Sequence, residues 1–169
     1  LARVRRGLRD AETAAKAEEL LGIEGAAAAA YFEGLSLALR ADLDERLRYV
    51  RRSRRPAADR FNALLNYLYG MLYRQVFASI LAVGLHPGLG FYHRPRSAAP
   101  PLVLDLMELF RVPMADMPLM GALNRQTFRA DTDFEEAGTH VGLSQEGKAK
   151  VIEIFERRKL EEWRHSVVG

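Results

Sequence analysis

The 169-residue chain contains no cysteine, which excludes disulfide scaffolds, cysteine nucleophiles, thiolate zinc sites and iron–sulfur clusters. Any metal must be held by carboxylates, imidazoles and carbonyls. No apolar run approaches the ~18–20 residues that a membrane span requires. Four familiar catalytic signatures are also missing: a Walker loop, Gly-x-Ser-x-Gly, His-Glu-x-x-His and a dinucleotide fingerprint. Lysine is scarce, with 4 Lys against 21 Arg. The sequence opens on Leu1 without a basic-then-apolar leader, which reads as a trimmed domain of a cytoplasmic protein.

What is present suits one globular domain: 49% hydrophobic and 28% charged residues. The net charge is +3 and the pI near 9.4. Arg presents a planar fork that matches phosphate bidentately, although a GC-rich genome also favours Arg over Lys. Residues 46–60, RLRYVRRSRRPAADR, carry seven Arg and one Asp. A solvated face usually mixes signs, so this stretch reads as a phosphate-binding surface, with a basic linker as the alternative. Arg51, Arg52, Arg54 and Arg55 are its candidate contacts.

Hydrophobic spacing predicts an all-α fold built around one long central buried helix. An opening helix occupies the residues before Gly22-Ile23-Glu24-Gly25, which interrupts it, and Ala26 starts a second. Phe61, Leu64, Leu65, Leu68, Leu72, Val76, Phe77, Ile80 and Val83 follow three-and-four spacing, and Gly84 ends that helix. Residues 85–101 hold four of the seven prolines and form a long loop. Leu102–Arg111 is predicted as a short helix burying Leu102, Leu106 and Leu109, and Pro113–Leu123 as another. Met114, Met117 and Met120 read as core filling. Asp131–Glu136 is expected to be an exposed turn and His140–Ser144 a brief extended piece. Ser144 caps a last helix over 145–166, packed through Val151, Ile154 and Phe155. One helical domain thus spans 1–169, with an opening helix over 1–23, an Arg-rich connector over 41–60 and an active-site loop over 85–101.

The candidate chemistry gathers on a few side chains. His165 and His140 read as surface residues and His86 as a helix cap. His93 differs, because Gly90-Phe91-Tyr92 precedes it and small and aromatic residues form a pocket for an imidazole. Asp105 and Glu108 project from one helix face at i and i+3. Two carboxylates inside VLDLMELF need a compensating positive charge, which is either a divalent cation or Arg111. Glu24 adds a carboxylate between two glycines, where a helix-start role is the alternative. With His93, these carboxylates form an oxygen-rich set suited to Mn²⁺ or Mg²⁺. Such a centre activates a water or a 3′-hydroxyl against a phosphodiester.

Three runs, Phe61–Tyr69, Gly84–His93 and Leu104–Arg111, resemble the CRISPR-associated integrase, the spacer-acquisition endonuclease of prokaryotic adaptation. Leu21–Gly25 resembles that family's catalytic-glutamate motif, and Ala122–Arg125 also fits. The resemblance implies that Glu24, His93 and Glu108 are metal ligands and that Asp105 is an auxiliary acidic residue beside them. It implies Mn²⁺- or Mg²⁺-dependent cutting of DNA and joining of spacer 3′-hydroxyls to the CRISPR repeat. The implied partners are protospacer and repeat DNA, a second copy in the full-length parent, and a small companion protein. Nothing reads as the family's N-terminal β-rich domain, so the likeness is to the C-terminal helical catalytic lobe of a longer parent, one fused to another adaptation factor included. The competing reading is a non-catalytic helical scaffold that binds DNA or a protein. The two readings separate on whether the four side chains converge.

Overall fold

A computed structural model describes residues 2–53, 56–93 and 99–162. Among the described residues, six α-helices and one hairpin follow in chain order: α1 (Ala2–Thr13), α2 (Ala17–Leu37), α3 (Arg60–Ala82), α4 (Pro101–Arg111), α5 (Met117–Asn124), β1 (Phe134–Ala137), β2 (His140–Leu143) and α6 (Gln145–Leu160). A 3₁₀ turn covers Glu45–Leu47, and a wide π turn, Val112–Asp116, joins α4 to α5.

The core is α3. Asp59 caps it by accepting the Asn62 N–H at 2.7 Å, and Phe61, Leu64, Leu65, Leu68, Leu72 and Ile80 are almost wholly excluded from water. Each such side chain contributes about 1.5–3 kcal/mol of hydrophobic stabilisation. Val83 is exposed and Phe77 only partly buried, so the buried stripe ends sooner than the sequence spacing suggests. Around α3 pack α4, the π turn, α6 and the hairpin.

Several expectations are corrected. The fold is predominantly helical, as expected, with one small hairpin added: β1 and β2 pair antiparallel, with Phe134 opposite Leu143 and Ala137 opposite His140. Gly138 sits at φ +61° in the intervening turn, the left-handed region that glycine adopts without a steric penalty. Glu135 and Glu136 therefore lie in a strand, not a turn. The opening helix does not run over 1–23. The break falls at residues 14–16, where the Ala15 N–H donates to Glu19 at 3.2 Å, and α2 continues straight through Gly22 and Gly25. A glycine costs a helix only about 1 kcal/mol, and the alanine-rich sequence around it sustains the ladder.

Pro113 does not begin a separate helix. The π turn carries the chain from α4 into α5 without a break, accommodating a proline that cannot donate into the α ladder. Within α4, Val103, Asp105 and Met107 are buried, while Leu102 and Leu106 are partly buried. Met114 and Met120 fill the core, but Met117 is 57% exposed. Ser144 caps α6 through its hydroxyl, accepting from the Gly147 N–H at 3.1 Å, and Val151, Ile154 and Phe155 are buried. α6 ends at Leu160, where Glu161 turns extended, short of the expected residue 166; His165 lies outside the described residues.

The Arg-rich connector wraps onto the core. Asn62, fully buried, donates to the Arg51 carbonyl at 2.8 Å and accepts from the Ser53 N–H at 3.0 Å and Arg52 at 2.8 Å. A single buried amide therefore ties this segment to the start of α3, and removing it would strand several polar groups.

Candidate active site

Asp105 is the organising residue. Its side chain has no solvent exposure. One carboxylate oxygen accepts the Phe91 N–H at 2.7 Å and the Tyr92 N–H at 3.1 Å. The other accepts the His93 N–H at 2.8 Å and lies 2.6 Å from His93 Nδ1. Burial alone would raise the carboxyl pKa, but the His93, Tyr92 and Phe91 donors outweigh it and hold it below the ordinary aspartate value. The loop reaches Asp105 because Gly90 has no side chain: a Cβ there would stand 2.5 Å from Pro101 Cβ and 2.8 Å from an Asp105 oxygen.

With Nδ1 donating to Asp105, the free lone pair of His93 is on Nε2. A carboxylate fixing the opposite ring nitrogen is the usual support for a metal-ligating histidine. The next residue back supplies a second link. Tyr92 donates its hydroxyl to Glu24 Oε2 at 2.9 Å. Burial and the Glu24 carboxylate push the Tyr92 hydroxyl pKa up to about 12, with the Glu108 and Asp105 charges acting in the same direction. Glu24, on α2, and Glu108, on α4, thus both act on one hydroxyl of the loop that carries His93.

Glu108 forms an ion pair with Arg111 at 2.9 Å, both side chains about one-third exposed. The Arg111 guanidinium also lies 5.1 Å from the Tyr69 ring centroid, and its Nε is buried without an acceptor. Behind this pair sits Asp116, 2% exposed, accepting from Tyr31 at 2.9 Å and Tyr69 at 2.8 Å. Burial raises its pKa, against the lowering effect of the two hydroxyls and of Arg111 and Arg52.

The structure therefore links Glu24, His93 and Asp105 by hydrogen bonds through one loop, with Glu108 on the same helix as Asp105. Among the described residues no three His, Asp or Glu side chains converge at ligand distance. The donor types nonetheless fit a hard divalent cation: two partly exposed carboxylates and an imidazole presenting a fixed nitrogen. His86 is exposed and accepts the Gly88 N–H at 3.1 Å, and His140 lies exposed on β2. Arg51 is exposed. Arg52 is half-buried, bonded to Asn62 and to the Ser53 carbonyl, with its guanidinium 5.6 Å from the Tyr69 ring centroid. Arg54 and Arg55 lie outside the described residues. Sequence reasoning placed Tyr92 beside His93 but missed its bond to Glu24, and missed Tyr31, Tyr69 and Asp116 as members of this neighbourhood. Of these, Tyr31 carried a signal, standing seven residues after Glu24 on the same helix face.

Residues 1–157 match the family model described as CRISPR associated protein Cas1. The chain belongs to the Cas1 family. It is 54% identical over 158 residues to a CRISPR-associated exonuclease Cas4/endonuclease Cas1 fusion from Myxococcus xanthus, covering 94% of this chain and 28% of the relative. It is 36% identical to an endonuclease Cas1 of Chlorobaculum tepidum, covering 96% of this chain and 47% of that one. A Cas1 protein from Thermotoga maritima superposes with a TM-score of 0.84 at 29% identity, over 91% of this chain and 48% of the other. A casposase bound to an integration product gives 0.81 at 26% identity, over 95% and 47%. The chain therefore spans about half of these stand-alone proteins and less than a third of the fusion.

Proposed function

We propose that this chain is the catalytic lobe of a metal-dependent DNA integrase and endonuclease of CRISPR adaptation, joining spacer 3′-hydroxyls to the repeat by transesterification. The observation that carries the proposal is Asp105 holding residues 91–93, which fixes His93 Nε2 and sets Tyr92 on Glu24. Family membership and the likeness to a casposase bound to its integration product support the same reaction class. A structural neighbour described as a Cas6-RT-Cas1–Cas2 complex supports a small companion protein as partner. Protospacer and repeat DNA are the substrates, and the full-length protein acts as a homodimer.

Glu24, His93 and Glu108 would hold the cation, Mn²⁺ or Mg²⁺. When bound, it polarises the phosphodiester and lowers the pKa of the attacking water or hydroxyl. The chain's own residues do the rest. Asp105 orients the imidazole and keeps its tautomer. The Tyr92 hydroxyl holds Glu24 turned toward the loop. Arg111 pairs with Glu108 at 2.9 Å and would have to release it for Glu108 to hold a cation. Arg51, Arg52, Arg54 and Arg55 contact the DNA backbone.

The experiment is cleavage and strand joining of a branched, labelled DNA by the full-length protein with its partner, in Mn²⁺ and then with EDTA, beside His93→Ala. Metal-dependent activity in the wild type and its loss in the variant are expected. Two observations favour the scaffold reading: among the described residues the candidate ligands do not converge at ligand distance, and the Glu108–Arg111 pair at 2.9 Å neutralises that carboxylate without a metal. DNA binding by the full-length protein without any reaction, with Mn²⁺ present, would establish the scaffold instead.

A further inference from the structure

The reaction proposed above leaves one buried acid unused. Asp116 is 2% exposed, lies outside the Glu24–His93–Glu108 set, and accepts one hydroxyl on each carboxylate oxygen: Tyr31 from α2 and Tyr69 from α3. Its position depends on the π turn. Eight residues of α-helix would carry residue 116 about 80° away from the direction of Glu108. The extra residue that a π turn accommodates brings it back toward the face that carries Glu108 and Arg111. The shared neighbour Tyr69 agrees with this placement: it bonds Asp116 and lies 5.1 Å beneath the Arg111 guanidinium.

On the other side, Glu24 and Tyr31 are seven residues apart and share one face of α2, about 10.5 Å along its axis. That face is held at two rungs: Glu24 to Tyr92, and Tyr31 to Asp116, at 2.9 Å each. The first rung occupies one Glu24 oxygen, Oε2, and leaves Oε1 for another partner. The second is part-buried and uses neither Glu24 nor His93.

We infer that Asp116, through Tyr31, is a positioning residue that sets the distance of Glu24, on α2, from His93 and Glu108. The inference rests on the metal-ligand reading of Glu24. Tyr31→Phe removes one hydroxyl and no apolar surface, so α2 stays helical while its register against α4 loosens. The loss should appear first in cation affinity.

The test measures Mn²⁺ binding to the full-length protein, from the free-Mn²⁺ electron paramagnetic resonance signal, beside thermal melting and DNA cleavage across a Mn²⁺ titration. Tyr31→Phe and Asp116→Ala are compared with Ile154→Val, a core truncation in α6 that removes no polar group. Expected is a five- to twenty-fold weaker Mn²⁺ midpoint for Tyr31→Phe and Asp116→Ala, with cleavage partly restored at high Mn²⁺, and an unmoved midpoint for Ile154→Val at a similar melting shift. Wild-type midpoints in both variants, or losses that follow melting temperature alone in all three proteins, would overturn the inference and leave the proposed function intact. If the wild type binds no Mn²⁺ and His93→Ala cleaves as well as wild type, the proposed function fails and takes this inference with it.

Discussion

The Asp105 carboxylate lies 2.6 Å from His93 Nδ1 while also accepting the His93 backbone N–H at 2.8 Å. The imidazole is thus fixed at two points by one buried group, and the same carboxylate fixes the two residues before it. Charge-assisted bonds of this kind are roughly twice as strong as neutral ones. Removing the carboxylate leaves all of its donors unpaired at once.

That relationship separates two variants. His93→Ala deletes the ring and should abolish metal-dependent cleavage while melting close to wild type, because the imidazole is partly exposed. Asp105→Ala should lose activity and stability together, by about 2–4 kcal/mol for three orphaned backbone donors with partial relaxation. Chemical denaturation beside a cleavage assay distinguishes them. A His93→Ala protein that still cuts DNA would remove His93 from the site.

Gly90 offers a test of the loop without removing a polar group. A methyl there would stand 2.5 Å from Pro101 Cβ and 2.9 Å from the Pro101 carbonyl carbon, distances that force the backbone to move. Gly90→Ala should therefore push residues 91–93 off Asp105 and cut cleavage at least tenfold. The core is untouched, so far-ultraviolet circular dichroism should be unchanged. Wild-type activity in Gly90→Ala would show that the loop's docking on Asp105 is dispensable.

Much of this architecture was readable in the sequence, and the failures have physical causes. The three-and-four spacing from Phe61 to Ile80 fixes α3 because burial alone decides that helix. Asp105 and Glu108 share a face by simple periodicity. That Asp105 turns inward onto three backbone N–H groups depends on the loop closing over Gly90, a tertiary event that no local pattern encodes. Gly22 and Gly25 misled because a glycine pair looks like a break, whereas the surrounding alanines keep the helix intact. The second strand was legible as the extended piece His140–Ser144, but its partner was hidden because Glu135 and Glu136 are poor strand formers in a strand of only four residues. The π turn was hidden because Pro113 usually marks a helix start.

Asp116 gives a signed pH effect. Burial raises its folded-state pKa above the ordinary aspartate value. A group with a raised pKa contributes stability that is fully present below the unfolded value and is lost as pH rises through the folded value. Asp116→Asn keeps a neutral side chain of the same shape and still bonds both tyrosines. Relative to that variant, the wild type should be most stable near pH 4 and lose ground as the pH is raised toward 7. Melting temperatures of the two proteins across that range check it, and parallel curves would contradict the burial argument.

The Arg-rich connector yields the last prediction, because its arginines are not equivalent. Arg46 bonds Asp44 at 2.7 Å and Asp131 at 2.6 Å, joining the connector to the segment before β1. Arg48 donates to the Arg40 and Ala41 carbonyls at 2.6 and 2.7 Å. Arg51 is exposed, and its backbone, not its guanidinium, is what Asn62 holds. A guanidinium on a phosphate releases a counterion, so removing one such cation reduces the slope of log affinity against log salt by about 0.9 on duplex DNA. Arg51→Ala in the full-length protein should weaken DNA binding for every sequence alike, lower that slope by about one, and leave the melting temperature unchanged. Arg46→Ala should do the reverse, leaving the slope alone and lowering the melting temperature slightly, since exposed pairs contribute at most about 1 kcal/mol. Fluorescence anisotropy on a labelled duplex at several salt concentrations measures both. An unchanged slope in Arg51→Ala would exclude that residue from the backbone contacts.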